Sequence, residues 1–177
     1  MAPSGSRMRI EFIIPSRGLF GYRSEFLTDT KGNGIMNHVF AGWGAYKGDI
    51  PGRTRGSLVA FEAGTTTAYG IDKCQARGTM YVNPGEEVYE GEIVGENSRE
   101  DDMDVNPCKK KHVSNMRAAG SDDAVRLVPP QTFSLEGALE HINDDETVEV
   151  TPKSIRMRKK ILSRMERART RARNARA

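Results

Sequence analysis

The spacing of apolar positions changes several times along the chain, and each change marks an element. After a Pro/Gly/Ser-rich start over 1–7, Arg9-Ile10-Glu11-Phe12-Ile13-Ile14 is rich in β-branched and aromatic residues and predicts a strand stopped by Pro15. Leu19, Tyr22, Arg23, Phe26 and Leu27 then recur at helical spacing, predicting a helix from Ser16 through Lys31 with Gly32 as its stop. Residues 35–40 predict a second strand and 42–52 a loop. The first fifty residues therefore spell one β-α-β unit, which cannot enclose a core by itself. Either its strands join a sheet made later in the chain, or a partner half lies outside this sequence.

Further on, Ser57 to Glu62 predicts a strand, and Thr65-Thr66-Thr67 predicts the cap of a short helix from Ala68 to Arg77, closed by Gly78. Thr79–Val82 and Val88–Val94 flank Asn83-Pro84-Gly85, the signal of a hairpin. Residues 95–123 lack apolar periodicity, and a stretch of that length without structure is usually functional or disordered. Strands are predicted at 124–128 and 147–150. Between them Ser134 caps a short helix with Leu135, Ala138, Leu139 and Ile142 on one face. No internal repeat is present. Hairpins mixed with isolated helices predict the α+β class.

Composition narrows the classes. Of 177 residues 37% are apolar and 29% charged, and no run approaches the 18 apolar residues of a membrane-spanning helix. No membrane partner is expected. The two cysteines, Cys74 and Cys108, are too few for a disulfide scaffold and fit a reduced, cytoplasmic setting. The net charge of +3 hides a division. Residues 153–177 hold eleven basic residues and one acid, Glu166, for +10, while the other 152 hold 16 basic and 23 acidic residues, for −7. An acidic body with a basic C-terminal arm points to a polyanion, most often nucleic acid.

Catalytic chemistry finds little support. No glycine-rich loop ends in Gly-Lys-Ser/Thr, so P-loop binding of GTP is not expected of this chain. Gly32-Asn33-Gly34 reads as a helix stop. Glu100, Asp101, Asp102 and Asp104 could hold Mg²⁺ for phosphodiester cleavage, but their spacing matches no calcium loop, and a solvated loop balancing the nearby lysines is the plainer reading. His38, His112 and His141 lack metal spacing, and His141 fits a helix C-terminus where a cationic imidazole is favoured. The pair Cys108 and His112 is a weak thiol–imidazole candidate. No catalytic residue, cofactor or metal ligand is assigned.

Two basic segments are better candidates. Lys109, Lys110, Lys111, His112, Ser114, Asn115 and Arg117 offer cations, a hydroxyl and an amide within nine residues, suited to phosphate, ribose and base edges. In the arm, Ile161, Met165, Ala168, Ala172 and Ala175 form only a thin apolar stripe on a helix. Arg164, Arg167 and Arg171 are its candidate RNA contacts, on a helix expected to fray until it meets phosphate.

Several strings carry a resemblance. They are Ile13-Ile14-Pro15-Ser16-Arg17-Gly18-Leu19-Phe20-Gly21-Tyr22-Arg23 with Thr30-Lys31-Gly32-Asn33-Gly34, then Tyr46-Lys47-Gly48 and Gly52-Arg53-Thr54-Arg55-Gly56-Ser57-Leu58. They continue with Val88-Tyr89-Glu90-Gly91-Glu92-Ile93-Val94-Gly95-Glu96, and with Asp104-Val105-Asn106-Pro107-Cys108-Lys109-Lys110-Lys111-His112 followed by Ser114-Asn115-Met116-Arg117-Ala118. Thr151-Pro152-Lys153-Ser154-Ile155-Arg156-Met157-Arg158-Lys159-Lys160 closes the set. Over residues 9–160 the chain resembles the BipA (TypA) translational GTPases.

The resemblance implies that residues 1–48 are the second half of a ferredoxin-like domain akin to the last domain of elongation factor G. Residues 49–160 would be the C-terminal domain particular to the family; the basic arm or helix at 161–177 lies beyond the resemblance and matches the family only in being basic. It implies a long loop, 97–121, that reaches the large ribosomal subunit (50S, within the 70S ribosome) and contacts 23S rRNA and A-site tRNA. GTP and Mg²⁺ would belong to an absent N-terminal part, and the intact protein would support translation or large-subunit biogenesis under stress such as cold. The alternatives are a generic RNA-binding or interaction module, and a metal-dependent nuclease using Asp101, Asp102 and Asp104.

Overall fold

The computed structural model describes residues 1–4, 7–19, 21–48, 52–110 and 126–174. The chain divides into two units, Met1–Pro51 and Gly52–Ala177. Helices and mainly antiparallel strands make it α+β.

In the first unit β1 (Ala2–Ser4) pairs antiparallel with β2 (Arg7–Arg9), a 3₁₀ turn covers Ser16–Leu19, and α1 spans Tyr22–Asp29. The helix expected over 16–31 is thus interrupted at Gly21, whose φ of +74° only glycine adopts without strain. The strands expected at Arg9–Ile14 and 35–40 do not form. A strand exists by its ladder, and among the described residues of this unit β2 finds a partner only up to Arg9. Their apolar side chains are left open, with Ile13 and Val39 each 89% exposed.

The second unit runs β3 (Ser57–Ala60), β4 (Gly64–Thr65), α2 (Ala68–Gln75), β5 (Gly78–Met80), β6 (Glu87–Val88), β7 (Ile93–Asn97), β8 (Met103–Val105), α3 (Leu135–His141), β9 (Glu146–Val150), β10 (Ile155–Lys159) and α4 (Arg164–Asn174). Four strands form a sheet in the order β5-β7-β3-β8, antiparallel except for the parallel pair β3–β8, so β8 is an edge. Strands β4 and β6 pair separately, and β9–β10 is an antiparallel hairpin.

Alternation along β7 divides the core between two faces. Val94 joins Leu58, Ala60, Ile71, Cys74, Met80 and Val105 under α2. Ile93 instead meets Ala138 of α3 and Met157 of β10, with Tyr81, Phe133, Ile142 and Val148 around them. Helix α2 begins where expected because the Thr67 hydroxyl accepts the Gly70 N–H at 2.9 Å. Ser134 caps α3 likewise through the Gly137 N–H at 3.2 Å.

Several expectations change. Val88–Val94 is not one strand: Gly91, at φ +89°, turns the chain between β6 and β7, and its Cα lies against the backbone of Leu162. Of the stripe expected on α3 only Ala138 is buried, and Leu139 is half open. Residues 126–128 form no strand, and 124–125 lie outside the described residues. Strands β8 and β10 were not anticipated, since charged residues alternate through both.

Candidate nucleic-acid interface

The first cations of the basic segment sit on a tightly held stem. Met103 and Val105 of β8 pack into the core under α2. The Val105 carbonyl accepts the Phe61 N–H at 3.2 Å, and the carbonyl of buried Pro107 accepts the Thr67 N–H at 2.9 Å. The Asn106 carboxamide accepts the Cys108 N–H at 2.9 Å, and the Thr67 hydroxyl donates to the Lys109 carbonyl at 2.6 Å. Gly70 allows this approach, because a Cβ there would overlap the Pro107 carbonyl. The chain from β8 to Lys109 is therefore fixed against the start of α2. The side chains of Lys109 and Lys110 emerge from it exposed, and neither pairs with a carboxylate among the described residues. Lys111, His112, Ser114, Asn115 and Arg117 lie outside the described residues.

The arm differs from its expectation. Residues 164–174 form α4, and its docked face is the charged one. Arg167 is 7% exposed: its guanidinium reaches Asp104 at 2.5 Å and also donates to the Ile161 and Leu162 carbonyls. Arg171 meets Asp102 at 2.7 Å, and Arg164 lies 3.3 Å from Asp104 with its guanidinium over the Phe61 ring. The Glu90 carboxylate accepts the Arg164 N–H at 2.7 Å, placing an anion at the positive end of the helix. Met165 is 67% exposed, and Ala168 and Ala172 are also outward, so the apolar stripe faces solvent. Mutual repulsion of arginines four apart destabilises such a helix, and here the carboxylates of Asp102 and Asp104 relieve it.

Those carboxylates are not a solvated loop balancing the lysines. Asp102 also takes the Lys159 ammonium at 2.7 Å and the Ser57 N–H at 2.8 Å. Two carboxylates of the nuclease alternative are thus occupied by cations. Among the described residues no group of three or more His, Cys, Asp or Glu could hold a metal ion.

Lys159 is the centre of a buried network missed in the sequence. It is 2% exposed and binds Asp102, Asp145 and Glu146, the last two at 2.9 Å each. Glu146 also accepts from Arg53 at 2.9 Å and from the Ser57 hydroxyl at 2.6 Å. Burial alone would raise the carboxyls of Asp102 and Glu146. Lys159 together with the Ser57 backbone N–H at Asp102, and the Ser57 hydroxyl with Lys159 at Glu146, outweighs it and holds both below the usual range. Burial would likewise lower the Lys159 ammonium, but its three carboxylates raise it. A signal was available: residues 155, 157 and 159 share one face of a strand, so a buried Met157 places Lys159 inward.

Arg53 extends the network to His141, whose Nε2 lies 2.8 Å from an Arg53 Nη and 2.7 Å from the Tyr81 hydroxyl. Burial, then Arg53, pushes the imidazole down to about 4. His141 is therefore neutral at pH 7, not the cationic helix terminus expected.

The chain belongs to the TypA/BipA family: the family described as TypA/BipA C-terminal domain matches residues 55–164. Residues 1–54 match the family described as Elongation factor G C-terminus. Among individual relatives, the protein named large ribosomal subunit assembly factor BipA from Bacillus subtilis is 48% identical over 162 residues, 91% of this chain. Proteins of the same name from Synechocystis sp. and Haemophilus influenzae are each 46% identical, over 86% and 96% of this chain. The chain spans 26–28% of the length of these curated relatives.

Proposed function

We propose that this chain is the ribosome-binding C-terminal region of a BipA-type translational factor, anchoring it to the large subunit through cation–phosphate contacts. Lys109 and Lys110 begin the contact segment. Lys111, His112, Ser114, Asn115 and Arg117 continue it toward 23S rRNA and A-site tRNA. Arg164, more than half exposed, adds to the attraction. Arg167 contributes no direct contact, because its guanidinium is buried on Asp104. On this reading, GTP and Mg²⁺ chemistry and the stress-linked role are assigned to no residue of this chain, and the setting is the cytoplasm.

The observation that carries this reading is the fixed stem with free cations. The Lys109 backbone is bonded to the cap of α2, while both lysine side chains are exposed and in no ion pair among the described residues. A rigid root under unpaired cations is what a phosphate-binding segment requires. The names of the relatives supply the large subunit as the polyanion. No catalytic residue is assigned to this chain.

The test is pelleting of the chain with purified bacterial large ribosomal subunits. Replacing Lys109, Lys110, Lys111 and Arg117 by Ala is expected to lower binding at least tenfold while the thermal midpoint stays within a few degrees. Unchanged pelleting of that variant would overturn the assignment.

A further inference from the structure

We propose that α4 is a positioning brace: Arg167 and Arg171 act on polyanion binding through β8, by holding the stem that carries Lys109 and Lys110. The proposal rests on the reading of those lysines as phosphate contacts. The arm would then serve the site without itself touching the polyanion through these two arginines.

Strand β8 has three residues, lies at the sheet edge, and pairs in parallel with β3 alone. Such an edge is weakly held and is ordinarily covered by another element. Its faces are divided. Met103 and Val105 enter the core, and Asp102 and Asp104, on the opposite face, meet α4.

The spacing fits on both sides. Two residues along a strand advance about 6.6 Å, and four along a helix about 6 Å. Asp104 with Arg167 and Asp102 with Arg171 therefore form two rungs in step, with helix and strand running in opposite directions. Arg164 adds a second contact to Asp104. Because Met165, Ala168 and Ala172 face outward, apolar burial does little to seat the helix. The seat is ionic, and its purchase is on the strand. Three residues after Asp104 comes Pro107, and two further on Lys109, and the carbonyls of both bond to Thr67, the cap of α2. The stem is gripped by α2 on one side and by α4 on the other.

The two possible roles of Arg167 predict opposite signs for one substitution. If the arm arginines bound phosphate directly, Asp104→Asn would remove a competing carboxylate and strengthen binding. If α4 is a brace, Asp104→Asn frees the stem and weakens binding. The experiment measures affinity of the 177-residue chain for purified large subunits in wild type, Asp104→Asn, Arg167→Gln and the double variant, with Arg167→Lys as the charge-conserving control. Hydrogen exchange is followed without ribosomes at the backbone amides within residues 105–110, of which Pro107 has none.

Each single neutral variant is expected to weaken binding about three- to tenfold, the double variant to cost no more than either alone, and Arg167→Lys to restore most of the affinity. The slope of affinity against salt should stay at the wild-type value, since no phosphate contact is lost. Exchange should quicken at 105–110 and stay slow in β3 and β7. Tighter binding by Asp104→Asn, or a shallower salt slope in Arg167→Gln, would overturn the brace. Unchanged exchange at 105–110 would overturn it as well, whether or not the chain binds ribosomes. Absence of wild-type binding would instead defeat the function on which the brace rests.

Discussion

At the scale of single residues, the second unit depends on charges that have left water. The Lys159 ammonium is enclosed by Asp102, Asp145 and Glu146, and Arg53 completes the shell of Glu146. Removing Lys159 takes the shared cation from the Asp102 and Glu146 carboxylates and leaves them with only Arg171 and Arg53 as cations among the described residues. Lys159→Met is expected to cost about 3–5 kcal/mol in urea unfolding, and a loss below about 1 kcal/mol would contradict the network's role. Glu92 is a different case. It is 3% exposed, and burial pushes its carboxyl up to about 7 despite Arg156 at 3.7 Å and the Tyr89 N–H at 3.1 Å. Between about 4.5 and 7 the folded protein holds more protons at Glu92 than the unfolded chain does, so this residue lowers stability as pH rises. His141 acts oppositely: its folded value near 4 lies below the unfolded value of 6.5, so its contribution is lost as pH falls through that interval. Glu92→Gln is therefore expected to raise the melting temperature at pH 8 and leave it unchanged at pH 4. A variant less stable at both pH values would refute that assignment.

At the scale of elements, what could be read in advance follows from which force builds each one. The helix starts at Thr67 and Ser134 were legible because capping is local chemistry. Strands β3 and β9 were legible from their apolar runs. Strand β8 was hidden because the outward positions at and just before it are Asp104 and Asp102, whose partners lie 45 to 69 residues away. Strand β10 was hidden by Arg156, Arg158 and Lys159, taken with the basic arm although Met157 is buried. Helix α4 was expected to fray until it met phosphate, and it docks instead, because Asp104 and Asp102 take Arg167 and Arg171. The strands expected at 9–14 and 35–40 have suitable residues and no ladder. The candidate site was legible in part: Lys109 and Lys110 emerge from the stem, while its fixing by Thr67, Gly70 and Pro107 needed the tertiary structure.

At the scale of the whole molecule, the charge division changes meaning. Of the eleven basic residues in 153–177, six pair with acids of the second unit: Arg156, Arg158, Lys159, Arg164, Arg167 and Arg171. Much of the apparent polyanion signal is therefore an internal device that holds the fold. The cations without a carboxylate partner among the described residues include Lys109, Lys110, Lys160, Arg169 and Arg173. The match to the TypA/BipA C-terminal domain over 55–164 takes in Lys109, Lys110 and Lys160. The central claim is that the segment beginning at Lys109 neutralises ribosomal phosphates. It is tested most directly by sedimenting the chain with purified large ribosomal subunits across a potassium chloride series. The logarithm of affinity is expected to fall steeply with the logarithm of salt, and the fall to become shallower by roughly three when Lys109, Lys110, Lys111 and Arg117 are all Ala. An identical slope in wild type and variant would contradict the account.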